Sequence, residues 1–102
     1  MTDIRSARKA LVSRILEGGG EASISERKAA FNNRGLAEPM SDLVDKVAKC
    51  AYRVTDADID GVKGAGFRED QIFEILVCAA VGQATRQYDA ARAALEAAEG
   101  KE

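Results

Sequence analysis

Two cysteines, Cys50 and Cys78, are the strongest potential nucleophiles in this 102-residue chain, which contains no histidine. Without histidine, the usual general base, the Ser-His and Cys-His pairs and the commonest metal ligand are all missing. Any catalysis therefore has to use cysteine, carboxylate, tyrosine, lysine or arginine side chains. A thiolate at Cys50 could act alone as the nucleophile of a peroxidase that uses one cysteine.

The sequence position of Cys50 leaves two interpretations open. It falls in the last turn of a predicted helix, where the negative end of the helix dipole disfavours a thiolate. Arg53, three residues further on, partly offsets that effect. Free cysteines are also among the residues most often simply buried, so Cys50 is either reactive or packed. Cys78 lies inside an apolar run, which indicates a structural role.

Charged residues along the chain suggest neither a metal site nor a nucleic-acid partner. Asp56, Asp58 and Asp60 alternate as in a calcium loop, but no glutamate follows at the twelfth position, so helix capping is the better interpretation. The net charge is −2, and no aromatic residues are interleaved with the cations of the first helix to stack on bases. Those cations are interpreted as a solvated face: Arg5, Arg8, Lys9 and Arg14.

Composition predicts one all-α domain over residues 1–102. Small and aliphatic residues dominate the apolar share, aromatic residues are 5%, and there is a single proline. Two cysteines without a signal peptide favour a reducing compartment, so we expect a cytoplasmic protein. No apolar run approaches the roughly 18 residues of a membrane span, and neither a membrane partner nor a cofactor is expected.

Helix punctuation predicts about five helices. A first helix, 3–17, ends at three glycines, 18–20, and could pack on its own domain or on a partner subunit. Ser23 and Glu26 form a capping box for a second helix that ends near Asn32. The third predicted helix starts near Pro39 and ends near Arg53. The fourth runs from 57 to 65 after a cap at Thr55 or Asp56, and the fifth runs from 68 to 99 after a left-handed Gly66.

The fifth predicted helix is apolar on all sides at its centre. Residues 75–81 read ILVCAAV, which predicts burial all round. At 1.5 Å per residue the whole helix would span about 48 Å, so it must bend or leave the domain, and Gly82 is either a bend or a close-packing point. A stripe beyond it packs either on its own domain or on another subunit: Tyr88, Ala91, Ala94, Leu95 and Ala98.

The run AGFREDQIFEI at 65–75, followed by VCAAVG at 77–82, resembles the all-helical superfamily of alkyl hydroperoxidase D and carboxymuconolactone decarboxylase. The resemblance covers roughly residues 36–95 and implies a helical bundle. The homo-oligomer that we expect follows from the stripes on the first and fifth helices. Active members carry a Cys-x-x-Cys pair with a histidine four residues later and a glutamate further upstream. In this chain, the positions that correspond to this motif lie just before the matching run.

Those positions do not reproduce the family's redox motif. A comparison anchored on Gly66 places Ala51 and Val54 at the two cysteine positions and Asp58 at the histidine position. Sliding by one residue recovers Cys50, with Glu38 twelve positions before it. In that register Arg53 and Ala57 then stand at the second cysteine and the histidine, so half of the site is absent.

Two hypotheses follow from the sequence. The first is an oligomeric protein with this scaffold but without peroxidase activity, which binds a small ligand or a partner protein of unknown identity. The second is an enzyme, either a weak single-cysteine peroxidase that uses Cys50 or a decarboxylase-like enzyme. The candidate residues for such an enzyme are Cys50, Glu38, Tyr52 and Arg53.

Overall fold

A computed structural model describes residues 4–100, and these residues form five α-helices and one short 3₁₀ turn, without a strand. The predicted all-α fold with a long C-terminal helix is therefore confirmed, while the predicted helix start at Asp3 lies outside the described residues. The helices are α1 (Ile4–Glu17), α2 (Ile24–Asn32), α3 (Met40–Cys50), α4 (Asp56–Gly64) and α5 (Glu69–Glu99), and the 3₁₀ turn is Ala51–Arg53.

Local capping determines where α2 and α4 begin, and a left-handed glycine precedes α5. The Ser23 Oγ accepts a hydrogen bond from the Glu26 amide at 3.0 Å, and the Glu26 carboxylate accepts one from the Ser23 amide at 3.2 Å. The same reciprocal pair forms between Thr55 and Asp58 ahead of α4. Gly66 has φ +107°, a left-handed conformation that an L residue adopts only with strain, and it lets the chain turn into α5.

Three predicted helix boundaries need correction. α3 ends at Cys50 instead of Arg53, because the backbone at Cys50 leaves the helical region at φ −154° and ψ 63° and the next three residues form the 3₁₀ turn. The predicted start of α3 near Pro39 is confirmed, since Pro39 is the N-cap and Met40 is the first residue of the helix. α4 occupies 56–64 instead of 57–65, because the Thr55 hydroxyl and not Asp56 is the cap.

The core lies between the first half of α5 and the helices α2, α3 and α4. α1 runs antiparallel to α5, since Ile15 is close to Cys78 while Arg8 pairs with Asp89. Within the described residues, no residue of α1 is buried. The core cluster consists of Ala22, Ala30, Met40, Leu43, Val44, Val62, Ile72, Ile75, Cys78 and Ala79.

α5 continues past this core, which accounts for the elongated shape of 55 × 28 × 21 Å. Its 31 residues span about 46 Å. Gly82 is a close-packing point rather than an interruption, because a Cβ there would collide with the backbone of Phe31. Among residues 4–100, no helix is both long enough and apolar enough to cross a membrane.

The prediction that residues 75–81 are buried all round is wrong for the single chain. α1, α2 and α3 pack along α5 and leave one side of it without a covering helix. On that side Phe73 is 69% exposed, Ala80 is exposed and Val77 is half-buried. The helix is therefore more apolar than its surroundings in this chain require.

Candidate functional site

The four sequence-predicted site residues do not form one pocket in the structure. Glu38 lies before the start of α3 and Cys50 at its end, so the rise of the 11-residue helix, about 16 Å, separates them. Tyr52 is 88% exposed, Arg53 is exposed and Cys50 is half-buried. Cys50 is a free thiol. Its two interpretations, reactive or packed, both stay predictions.

The position that the resemblance assigns to a histidine belongs to the α4 cap. Asp58 pairs with Lys46 at 2.8 Å and caps the helix through Thr55. The hydrogen bond from Lys46, followed by that from the Thr55 amide, lowers the pKa of the Asp58 carboxyl. Within residues 4–100, no group of three His, Cys, Asp or Glu side chains is placed to hold a metal ion. Capping thus accounts for this carboxylate.

A polar cluster that the sequence analysis did not identify braces the triple-glycine segment between α1 and α2. The Glu74 carboxylate accepts hydrogen bonds from the Glu21 amide at 2.9 Å and from the Ala22 amide at 2.6 Å. Arg27 is only 5% exposed, and its Nη1 donates to the carbonyl oxygens of Ile15 at 3.2 Å and Gly18 at 2.7 Å. Two side chains from other helices therefore hold the chain that leaves α1.

Burial of Cys78 beside this cluster disfavours its thiolate form. The hydrogen bond from the Ala22 amide lowers the pKa of Glu74, which stays a carboxylate. Burial raises the pKa of the Cys78 thiol, which is 1% exposed and donates to the Ile15 carbonyl at 3.5 Å. A raised pKa reduces the thiolate fraction on which nucleophilic attack depends. The structural role predicted for Cys78 agrees with this environment.

A small cleft of about 160 Å³ lies beside the cluster, between Arg14 and Phe73, and Arg27 and Cys78 line it. The Arg27 Nε has no hydrogen-bond partner among the described residues. Glu74 and Arg27 hydrogen-bond backbone groups on either side of the triple glycine, so the hydrogen bonds of the cluster have a structural role.

A basic cleft of about 320 Å³ lies between α1 and the second half of α5. Arg8 is held in place on two sides, because its guanidinium donates to Asp89 at 3.1 Å and stacks over the Tyr88 ring at 4.1 Å. Arg92 pairs with Glu96 at 2.9 Å. The cleft is lined by Arg5, Arg8, Lys9, Val12, Thr85 and Arg92.

The uncovered side of α5 carries a regular stripe, which we call the α5 stripe. Its members follow one another at alternating spacings of four and three residues, the heptad pattern of helices that pack along their length. It contains Phe73, Val77, Ala80, Ala84, Gln87, Ala91, Ala94 and Ala98. Each is exposed except Val77, which is half-buried. The stripe therefore extends the predicted 88–98 surface along nearly the whole helix.

On the helix surface, the residues on either side of the α5 stripe carry no charge between 76 and 98: Leu76, Val81, Gln83, Tyr88, Ala90, Leu95 and Ala97. The charged residues of this part of α5 lie on its other sides, where Asp89 contacts Arg8 and Arg92 contacts Glu96. Two large flanking side chains are exposed, Tyr88 at 40% and Leu95 at 60%. An uncharged, exposed heptad face is characteristic of a helix-packing surface.

Comparison with protein-family models, with curated proteins and with solved structures finds no match to this chain.

Proposed function

We propose that this chain is a binding or accessory protein without peroxidase activity, which works as a homodimer formed through the α5 stripe. The observation that supports it most directly is the exposed, uncharged heptad face that runs along both halves of α5, although only the first half is packed on its other sides. The resemblance to the alkyl hydroperoxidase D-like superfamily belongs to the same proposal. The all-helical fold supports the resemblance, and the absence of histidine, which removes the family's usual proton relay, supports the lack of peroxidase activity.

The α5 stripe is complementary to a second copy of itself. When two α5 helices are set antiparallel, Phe73 faces Ala98 of the second copy, and Val77 faces Ala94. Ala80 then faces Ala91, and Ala84 faces Gln87. Large side chains therefore meet small ones at both ends, whereas a parallel pair would place Phe73 against Phe73. A twofold axis relates the two copies, as in most homodimers.

This arrangement uses both halves of α5. The alanine-rich second half of one copy would cover the uncovered side of the first half in the other copy. Alanine at the contact lets helix axes approach to about 8 Å. The pairing removes Phe73 and Leu95 from water at about 25 cal/mol per Å² of apolar surface, and it desolvates no charge along the stripe. The burial predicted for residues 75–81 would then be achieved in the dimer.

A pair of matched substitutions tests the dimer. Ala91→Glu places a carboxylate in the stripe, and Ala93→Glu makes the same change at an exposed position outside it. Burying an unpaired charge costs about 3 kcal/mol or more, so A91E should weaken dimerisation by roughly 100-fold or more. Sedimentation velocity at micromolar concentration should show a dimer for the unmodified chain and for A93E, and a monomer for A91E.

A monomeric unmodified chain, or equal behaviour of A91E and A93E, would overturn the proposal. Orientation is tested by mixing the single variants Phe73→Cys and Ala98→Cys under mild oxidation. An antiparallel pair gives the mixed disulfide, and a parallel pair gives a disulfide only within each variant. A chain that stays monomeric alone but gains mass with a different protein would identify a heterologous partner and contradict the homodimer.

A further inference from the structure

We propose that α1 forms the second half of the homodimer interface and packs against α1 of the second copy. The inference rests on the proposed dimer and deepens it, because it assigns a partner to a helix that the α5 stripe does not include. α1 carries its own row of residues at spacings of three, four and three, which we call the α1 face. It consists of Ile4, Ala7, Leu11 and Arg14.

The α1 face is exposed in the single chain although most of it is apolar. Ile4 is 71% exposed and Leu11 is 50% exposed, and Ala7 and Arg14 are exposed as well. A cleft of about 360 Å³ runs along this side of the helix beside Ala7, Leu11 and Arg14. A helix of 14 residues is marginal in water unless it packs, and α1 has no buried residue among those described. A partner on the α1 face would therefore stabilise the helix.

The α1 face is oriented toward the same side of the molecule as the α5 stripe. Successive residues of an α-helix are rotated by about 100°. Ile15 packs against the core, so Arg14, one residue earlier, points a little more than a quarter turn away from it. Arg14 lines the same small cleft as Phe73 and Val77, two members of the α5 stripe. The two rows are therefore neighbours on one surface.

A twofold axis brings the two α1 helices together. The axis that relates two antiparallel α5 helices lies between them and crosses both at about a right angle. It therefore leaves the two α1 helices on the same flank of the α5 pair, with their exposed faces toward each other. The second copy is the occupant that this symmetry places on the α1 face.

The register of the α5 pair also sets the register of the α1 pair. Ala84 faces Gln87 of the second copy, so the centre of the α5 pair lies beside Thr85. Thr85 lines a cleft together with Arg8 and Val12 of α1. The centre of the α1 pair therefore falls between Arg8 and Val12.

The α1 face is itself centred on Lys9, which lies inside that span. Ala7 then faces Leu11 of the second copy, so a small side chain meets a large one. Ile4 faces Arg14 of the second copy, whose aliphatic stem can cover apolar surface while its guanidinium reaches water at the edge of the interface. The centre of the α1 pair thus contains only apolar side chains.

The size of the interface favours the same arrangement. A stable interface buries about 800 Å² on each partner and uses roughly 20 to 30 residues a side. The α5 stripe has eight members, and five of them are alanine, which offers little apolar surface. The α1 face adds a second helix and two large aliphatic side chains to each copy. The dimer then has a four-helix interface instead of a single pair of helices.

Two neighbouring substitutions test the α1 face in the full chain. Ala7→Glu places a carboxylate in the face, and Ser6→Glu introduces the same side chain one residue earlier, on another side of the helix. Both positions are exposed in the single chain, so neither change removes packing from its fold. Sedimentation equilibrium should show a dimer dissociation constant about 10-fold higher or more for A7E. The constant for S6E should stay close to that of the unmodified chain.

The register is tested by mixing the single variants Ala7→Cys and Leu11→Cys under mild oxidation, with the unmodified chain as the control for its own two thiols. The mixed disulfide should form faster than a disulfide within either variant, because residues 7 and 11 face each other across the axis. Equal rates for the mixed and the self disulfides would overturn the α1 pairing.

The outcomes separate this inference from the proposed function. If A91E dissociates while A7E and S6E dimerise as the unmodified chain does, the α5 dimer stands and the α1 face stays in solvent, which would overturn the inference alone. Weaker dimerisation of A7E than of S6E, together with the mixed disulfide, would support it. A monomeric unmodified chain would overturn the proposed function and the inference with it.

Discussion

The two halves of α5 share one uninterrupted helix but differ in what surrounds them. From Glu69 to Gly82 the helix packs against α2 and α3, and Ile75 and Ala79 are fully buried. From Ala84 onwards α1 is the helix that accompanies it, and its side chains are mostly exposed. Packing therefore stabilises the first half of the helix, while the second half depends on alanine's helix propensity and on ion pairs such as Arg92–Glu96.

Truncating one large side chain in each half should give the largest contrast. Ile75→Ala leaves a cavity in a fully buried site and should lower the free energy of unfolding by about 2 to 5 kcal/mol. Leu95→Ala, at a position 60% exposed, should change it by less than about 0.5 kcal/mol in the monomer. Urea unfolding measures both. Equal losses would contradict the comparison, and a Leu95→Ala loss that grows with protein concentration would place Leu95 in the dimer interface.

The next largest change in the free energy of unfolding is expected from adding one methyl group at Gly82. The new Cβ would collide with the Phe31 backbone, which cannot move aside as a flexible side chain does, so Gly82→Ala should destabilise by about 1 to 3 kcal/mol. Gly61→Ala in α4 is the control, because its Cβ would have no neighbour within 4 Å among the described residues. That change should stabilise by up to about 1 kcal/mol through helix propensity. Thermal unfolding of the two variants should therefore shift in opposite directions.

The smallest contrast concerns two glutamates. Glu74→Gln removes the charged acceptor of the Glu21 and Ala22 amides and should cost about 1 to 2 kcal/mol at neutral pH. Glu96→Gln removes only an exposed pair with Arg92 and should cost about 0.3 to 0.5 kcal/mol. Both are measured by chemical unfolding at neutral pH. A loss from E96Q as large as that from E74Q would contradict the distinction.

The dependence on pH gives the Glu74 comparison a second readout. Because the pKa of Glu74 is lowered in the folded chain, its stabilisation is fully present above the unfolded pKa of about 4.3 and is lost as pH falls through the lower folded pKa. The stability difference between the unmodified chain and E74Q should therefore shrink steadily below about pH 4. A stability difference that stays constant down to pH 2 would show that the charge of Glu74 does not stabilise the segment between α1 and α2.

Local features of the fold could be predicted from the sequence because their causes lie within a few residues. Ser23 and Glu26 cap α2 through atoms three residues apart, and Gly66 turns the chain because of its own backbone freedom. The sequence predicts the end of α3 three residues too late, since Ala51 in the 3₁₀ turn continues the helical spacing of the apolar residues.

Features that join distant segments could not be predicted from one sequence. Glu74 lies 53 residues from Glu21, and no local pattern links the two. The only signal was the triple glycine, whose flexible backbone needs an external partner to become ordered. The uncovered side of α5 could not be predicted for a related reason, because the apolar run 75–81 predicts burial on all sides, whereas the packing of distant helices decides which sides are covered.

The way α1 packs makes its amide hydrogens sensitive to how firmly this helix is docked on the other helices. A helix of 14 residues is marginal in water by itself, and α1 contributes no buried side chain among the described residues. Its helical state therefore depends on the packing of the half-buried Ile15 and Leu16 against the core, on the Arg27 hydrogen bonds at the same end, and on the contacts of Arg8 at the other end. The rate at which amide hydrogens of α1 exchange with solvent thus measures how firmly the chain's first segment is docked, before the core itself opens.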